Sequence, residues 1–226
     1  MKKLLIALVV LALLALGLDR GGVYVAEQVA GSSLQSSQGL DDRPDVAIDG
    51  FPFLDQVATG RYDRIQVEAR DVLLTDGQVA LRLTSLDVVL VGVTASRDFS
   101  RIDVDRARAS ARISYADLSD AFGIDLSYSG DGELTASRTV TVLGQDVTPS
   151  VTIEPAVVDG ALSLGEFSVN GVVDATGAIT AALQDVFGVA VPLQGIPFDI
   201  VVDDLRATRV GFRLDLSGAD LSYVAP

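Results

Sequence analysis

The sequence contains no cysteine, no histidine and no tryptophan, and these absences exclude several classes of function. Without histidine there is no Ser-His-Asp relay and no imidazole base. Without histidine and cysteine, zinc, copper and iron–sulfur sites lose their usual ligands. No lysine follows Lys3, so Ser–Lys and Schiff-base chemistry are excluded as well. We therefore expect a protein that is not an enzyme, with no catalytic residue, no metal site and no cofactor.

Positive charge is scarce. The chain carries 17 lysine and arginine residues against 31 aspartate and glutamate residues, which gives a net charge of −14. Because Lys2 and Lys3 lie ahead of an apolar run, the rest of the chain is about two units more acidic. A field of that sign repels polyphosphate backbones, so we expect no nucleic-acid partner. It also excludes docking on an anionic bilayer by basic attraction alone, so membrane contact has to be tethered or hydrophobic.

The N-terminus has the features of an export signal. Its two lysines precede the apolar run Leu4–Leu18, which spans about 22 Å as a helix, short of the ~30 Å hydrocarbon core of a bilayer. Residues 15–17 offer a small-x-small cleavage site, and an uncleaved, tilted anchor is the alternative. We predict a signal sequence or anchor at 1–18 and a single domain at 19–226. The domain is expected outside the cytoplasm, either anchored at the outer face of the cytoplasmic membrane or released.

Residues 19–37 have the composition of a helix that leaves the membrane. Val25 and Val29 share one face of this helix, and a serine lies one turn further along the same face. That pattern predicts packing of the Val25 face against the body of the protein. A polar linker follows over residues 38–44.

The body of the chain has the pattern of antiparallel strands. Hydrophobic residues make up 49% of the sequence and are mostly aliphatic, enough for a core with some apolar surface to spare. Residues 61–70 alternate between apolar and polar side chains, as in a half-buried strand. Residues 86–93 are apolar on both faces, which predicts cover on both. Residues 101–114 change phase near Asp105, which predicts a bulge that bends the sheet.

Two short helices interrupt these strands. Residues 115–122 are predicted to form a helix that Gly123 stops, and residues 175–187 a second helix with an apolar stripe. Further strands are predicted around 46–50, 124–129, 132–142, 146–154, 156–164, 166–173, 198–206 and 209–216. Strands with inserted helices, without regular βαβ alternation, predict an α+β fold with a mainly antiparallel sheet.

Few polar groups are candidates for a site. Asp103-x-Asp105 and Asp203-Asp204 carry the ligand type of Mg²⁺ or Ca²⁺, but neither pair is preorganised, which favours solvated strand edges. Arginine recurs along one strand at positions that can meet a lipid phosphate bidentately. The alternative is a solvated strand face paired with carboxylates, which is the simpler interpretation. These arginines, the candidate headgroup contacts, are Arg106, Arg108 and Arg112.

One phrase resembles a known family. The run Gly50–Tyr62, followed by the strand ending at Val67–Val72, is similar to the LmeA-like phospholipid-binding family of actinobacterial cell-envelope proteins. Supporting segments are Ala26-Glu27, Ile113–Leu118 and the run from Pro192 to Phe198 before the last hairpin, and the resemblance covers residues 19–223. It implies phospholipid binding without catalysis, by an elongated, curved sheet whose helices enclose an apolar groove.

The expected partners are a phospholipid and, through the N-terminal segment, the membrane; no protein partner can be named. A groove needs apolar walls, because burying each acyl methylene gains about 0.8 kcal/mol. The alternative is a structural or interaction protein of the envelope whose second apolar face packs on a protein. The candidate lining residues are Phe51, Phe53, Leu54, Val57, Leu90, Val91, Ile179, Leu183, Val186 and Phe187.

Overall fold

The protein has three described helices and fifteen described strands. A computed structural model describes residues 2–76, 79–98, 100–137, 139–142, 145–148, 150–158, 161–163, 168–170, 191–192 and 201–224. The helices are α1 (Lys2–Gln38), α2 (Phe53–Thr59) and α3 (Tyr115–Phe122). The strands are β1 (Asp45–Asp49), β2 (Arg61–Asp76), β3 (Val79–Ala95), β4 (Arg101–Ser114), β5 (Asp125–Gly130), β6 (Glu133–Ser137), β7 (Val140–Val142), β8 (Gln145–Val147), β9 (Ser150–Ile153), β10 (Ala156–Val158), β11 (Ala161–Ser163), β12 (Ser168–Asn170), β13 (Val191–Pro192), β14 (Val201–Thr208) and β15 (Gly211–Val224).

The largest sheet has six strands in the order β1-β2-β3-β4-β15-β14. A four-stranded sheet has the order β12-β9-β6-β5, and three-stranded (β10-β11-β13) and two-stranded (β7-β8) sheets accompany it. Pairing is antiparallel at both ends of the largest sheet, where Val46 lies opposite Val67 and Leu205 opposite Leu214. It is also antiparallel throughout the four-stranded sheet. The predicted α+β class with a mainly antiparallel sheet is confirmed.

Short-range signals set the bounds of β4 and α3. The buried positions of β4 move from Val104 to the opposite parity at Ala107, so the predicted phase change is confirmed. At the start of α3, the Asp117 amide donates to the Ser114 hydroxyl over 3.0 Å, which satisfies one of the helix's unpaired amides. Gly123 ends the helix with φ = 64°, a conformation that costs glycine little.

The chain divides into two compact units. The first unit consists of Met1–Ala69, Asp87–Arg108 and Gly218–Pro226, and the second of Arg70–Leu86 and Ala109–Ser217. The division of the chain at residue 18, with one domain after it, remains a prediction.

In the first unit, the chain after α1 returns alongside that helix. Gly31 lies against the Pro44 carbonyl, since a Cβ at Gly31 would be 2.7 Å from that oxygen. Further back along α1, the Ile48 amide donates to the Glu27 carboxylate over 2.9 Å. Residues 43–48, which we call the return segment, therefore run antiparallel to α1, towards the end of the apolar run.

The predicted packing face of α1 is wrong. Val25 and Val29 are each 59% exposed, whereas Asp19, Val23 and Gly31 are buried. The reason is that α1 packs through a single apolar side chain, Val23, together with a close backbone approach at glycine and polar contacts from acidic residues. The glycine and the acidic residues add nothing to an apolar stripe, so the hydrophobic pattern indicated the wrong face.

The second unit has its own core on one face of the four-stranded sheet. Leu134, Ala136 and Val151 have no exposed surface. Helix α3 joins this sheet where the Leu126 amide donates to the Ser119 hydroxyl over 3.1 Å. The predicted helix 175–187 lies outside the described residues.

Candidate functional site

Helix α2, in the first unit, buries one polar side chain and exposes several apolar ones. Phe53 and Gln56 are buried, with 4% and 6% of their surface exposed. Phe51, Leu54 and Val57 are 63%, 49% and 49% exposed. Three of the predicted lining residues, spaced three positions apart, are thus exposed to solvent, and we call them the α2 patch (Phe51, Leu54 and Val57). The fourth residue, Phe53, is part of the core.

Polar contacts to α1 and to the sheet hold α2 in this orientation. The Leu54 amide donates to the Asp19 carboxylate over 2.9 Å. On the buried side, the Gln56 side-chain oxygen accepts from the Asp63 amide over 2.9 Å. Gly60 ends α2 with φ = 69°, and its carbonyl accepts from the Ala95 amide over 2.8 Å. Because its buried side is fixed by hydrogen bonds, α2 can leave apolar side chains outside.

A second feature of the first unit is a cleft that three adjacent strands form. Arg64 comes from β2, Val89 and Val91 from β3, and Arg106 and Arg108 from β4. The cleft encloses about 270 Å³. Two of the three predicted headgroup arginines and one predicted lining residue therefore lie together, and we call this the arginine cleft.

Leu90 is not in the arginine cleft. Successive side chains of a strand point to opposite faces, so Leu90 points away from the face that Val89 and Val91 share. Every residue of β3 from 86 to 92 is half-buried. Both faces of the predicted two-sided apolar strand are thus partly covered and partly open.

The arginines of the cleft have no acidic partner in the described part of the chain. Other arginines there do, since Arg101 lies 2.8 Å from Asp103 and Arg213 lies 3.1 Å from Asp215. Asp49 is opposite Arg64 in the β1–β2 register, but it accepts from the Gln66 amide group over 2.7 Å instead. Three neighbouring guanidinium groups without an acidic partner in the described part of the chain offer a place for an anion from outside. Guanidinium binds phosphate bidentately, so phosphate is a suitable anion.

Arg112, the third predicted headgroup residue, lies in the second unit. Its Nη1 donates to the Ser85 hydroxyl over 3.3 Å. It lines a mostly apolar cleft of about 400 Å³ with Ile113 and Phe212. Next to Phe212, Tyr115 packs edge-on at 5.7 Å and donates to the Thr208 carbonyl over 2.6 Å. Burial raises the pKa of Tyr115.

The carboxylate pairs have ordinary partners. The hydrogen bond from Arg101, followed by that from Ser222, lowers the pKa of Asp103. Asp203 accepts from the Ser217 hydroxyl over 2.9 Å. Within the described ranges, there is no group of three or more histidine, cysteine, aspartate or glutamate residues that could hold a metal ion.

Four predicted lining residues remain without a structural placement, and two cleft residues were missed from sequence. Arg64 and Val89 were missed because their place in the cleft depends on β2, β3 and β4 being neighbours. The alternation of residues 61–70 does put Arg64 on the polar face, which is the one local signal. The residues outside the described part of the chain are Ile179, Leu183, Val186 and Phe187.

Helix α1 contains a stretch that is long and apolar enough to cross a membrane by length and composition. The model of a family described as LmeA-like phospholipid-binding matches residues 17–217. No curated protein and no solved structure matches the chain.

Proposed function

The chain belongs to the LmeA-like phospholipid-binding family, and on that premise we propose that it is an exported, non-catalytic phospholipid-binding protein of the cell envelope. The observation that carries the proposal is the arginine cleft, which three arginines without an acidic partner among the described residues line together with two valines. The arginines bind the lipid phosphate by bidentate, charge-assisted hydrogen bonds. The valines contact the apolar part of the lipid next to the phosphate.

The size of the arginine cleft limits what it holds. Its volume of about 270 Å³ is below the roughly 300–1,000 Å³ of pockets that enclose a drug-sized ligand. A whole phospholipid is larger than such a ligand. The arginine cleft therefore takes the phosphate end, and the acyl chains remain outside it.

Binding without reaction fits the chemistry of the cleft. Arginine does not give up its proton at physiological pH, so it serves neither as base nor as acid. Valine has no reactive group, and the lining comprises only these two residue types. The cleft can therefore hold a lipid phosphate in place by charge, without reacting with it.

Helix α1 supports the location. It is continuous from Lys2 to Gln38, and its Asp19 accepts the Leu54 hydrogen bond that holds α2. The helix that carries the apolar run is thus also part of the folded first unit. We propose that α1 is retained as an anchor, with its two lysines inside and the strands at the outer face of the cytoplasmic membrane.

The test uses the full chain in a mild detergent and native mass spectrometry. Dihexanoyl phosphatidylglycerol is titrated as a short-chain probe, with dihexanoylglycerol as the matched ligand that lacks phosphate. Arg106→Gln with Arg108→Gln removes two phosphate contacts, and Arg209→Gln is the control at an exposed arginine in the β14–β15 turn. Because the side chains are exposed, we assign about 1 kcal/mol to each contact, so the double variant should bind roughly 30-fold more weakly.

Three results are informative. Binding of the phosphate probe that weakens only in the double variant supports the proposal. Equal binding of both probes, or equal weakening in the double variant and Arg209→Gln, removes the arginine cleft from the mechanism. An empty protein that co-purifies with one partner protein favours the alternative, a structural or interaction protein of the envelope.

A further inference from the structure

The α2 patch lies at a defined level along α1. The apolar run of α1 ends at Leu18, and the Leu54 amide donates to Asp19, the next residue. Gly22, one turn further, lies against Phe53, since a Cβ at Gly22 would be 3.5 Å from that ring. A helix rises about 1.5 Å per residue and 5.4 Å per turn. The first turn of α2 therefore lies within about one helical turn of the end of the apolar run.

That level is the outer boundary layer of a bilayer, where the hydrocarbon core meets the headgroups. The core is about 30 Å thick and Leu4–Leu18 spans about 22 Å, so about 8 Å of the core, or roughly five residues of helix, lies beyond that run. With Lys3 at the inner edge of the core, Asp19 and Gly22 lie in this boundary layer, and the α2 patch beside them reaches the acyl chains. Leu18 itself is exposed next to it.

The side chains around the patch suit this layer. The Arg20 guanidinium lies 5.2 Å from the centre of the Phe51 ring and 3.2 Å from the Asp19 carboxylate. An arginine that combines an aromatic contact with a half-exposed charged end is suited to a membrane–water interface. The buried partner Asp19 offsets its charge, so the patch needs no anionic lipid.

We propose that the α2 patch inserts into the outer leaflet of the membrane that anchors α1, so that the first unit rests on the bilayer at a fixed height. The occupant of the exposed apolar surface is the lipid surface itself. This inference rests on the anchored location in the proposed function. It adds a second attachment point, which fixes the rotation of α1 about its axis and keeps the first unit against the lipid that it binds.

The absence of tryptophan makes a single introduced tryptophan a unique reporter of depth. Phe51→Trp and Val57→Trp probe the patch, and Leu14→Trp probes the apolar run. Val29→Trp is the matched control, because Val29 is also exposed and apolar but lies eleven residues, about 16 Å, beyond Leu18 on α1. The full chain is reconstituted in phosphatidylcholine vesicles with and without acyl-brominated phosphatidylcholine, and quenching of the fluorescence is measured.

We expect severalfold quenching of the Phe51→Trp and Val57→Trp variants and none of Val29→Trp. Absence of quenching at both patch positions overturns the proposal. Quenching of Val29→Trp equal to that of Val57→Trp overturns it too, because the helix would then lie along the surface. The Leu14→Trp variant separates the two levels of inference. If it is quenched while the patch is not, only the patch proposal fails; if it is not quenched, the anchored location fails as well.

Discussion

The close approach of α1 to the return segment can be tested by giving Gly31 a side chain. In the Gly31→Ala variant, the new Cβ would be 2.7 Å from the Pro44 carbonyl oxygen and 3.3 Å from a carbon of Arg43. The first contact is the decisive one, because a backbone carbonyl does not rotate away as a side chain does. Either α1 or the return segment has to shift to accept the methyl group.

Two other glycines of the same helix provide matched controls. At Gly21 a Cβ would meet no atom within 4 Å, and at Gly22 it would meet the Phe53 ring at 3.5 Å, an ordinary contact. Replacing glycine by alanine inside a helix stabilises it by roughly 0.5–1 kcal/mol. Gly21→Ala and Gly22→Ala should show this gain. In Gly31→Ala an overpacking cost of about 1–3 kcal/mol opposes it, so the variant should be less stable than the wild type by about 1 kcal/mol.

Thermal unfolding of the full chain in mild detergent measures the difference. At about 2–4 °C per kcal/mol for a chain of this size, Gly31→Ala should melt roughly 3–8 °C below Gly21→Ala. Hydrogen exchange gives the local readout, since only Gly31→Ala should lose protection in β1. If Gly31→Ala is as stable as Gly21→Ala and β1 keeps its protection, the close approach does not exist.

Two further predictions concern aromatic side chains. Phe53→Ala should lower the free energy of unfolding by about 3–5 kcal/mol, because its ring is in the core. Phe51→Ala should change the free energy of unfolding by less than about 1 kcal/mol, because its ring is exposed. Equal losses of the two variants in denaturant titrations would contradict the burial of Phe53 and the exposure of Phe51. Tyr115→Phe loses the hydrogen bond to the Thr208 carbonyl and should be about 1 kcal/mol less stable at neutral pH. Burial raises the pKa of Tyr115 above its ordinary 10.0, so its contribution is complete below that pH and is lost as pH rises through the raised pKa. The difference in the free energy of unfolding between the wild type and Tyr115→Phe should therefore narrow above about pH 10. A difference that stays constant with pH would show that the Tyr115 phenol does not titrate with unfolding.

Local patterns in the sequence predicted much of the fold. The bounds of β4 and α3 were predicted correctly, because alternation along a strand and a glycine that ends a helix act over a few residues. The run Gly50–Tyr62 identified the family that the comparison confirmed. These signals are short in range, so a single sequence displays them fully.

Features that depend on distant contacts were not predictable in the same way. The face of α1 that packs was predicted wrongly, since Asp19 and Gly31 are buried through contacts with segments far along the chain. Arg64 could be assigned to the polar face of its strand but not to the arginine cleft. That assignment needs the order β2-β3-β4 and the register between those strands, and neither is encoded in the periodicity of one strand.

Two surfaces of the first unit call for the same kind of ligand. At the α2 patch, apolar side chains are exposed while Gln56 is buried. At the arginine cleft, three neighbouring cations have no acidic partner in the described part of the chain. A water-soluble anion would pair with the arginines of the cleft but leave the α2 patch exposed. An apolar surface would cover the α2 patch but leave the arginines without an anion. Phospholipid satisfies both, since its phosphate pairs with guanidinium and its hydrocarbon covers the patch. The two surfaces together therefore support phospholipid more strongly than either surface alone.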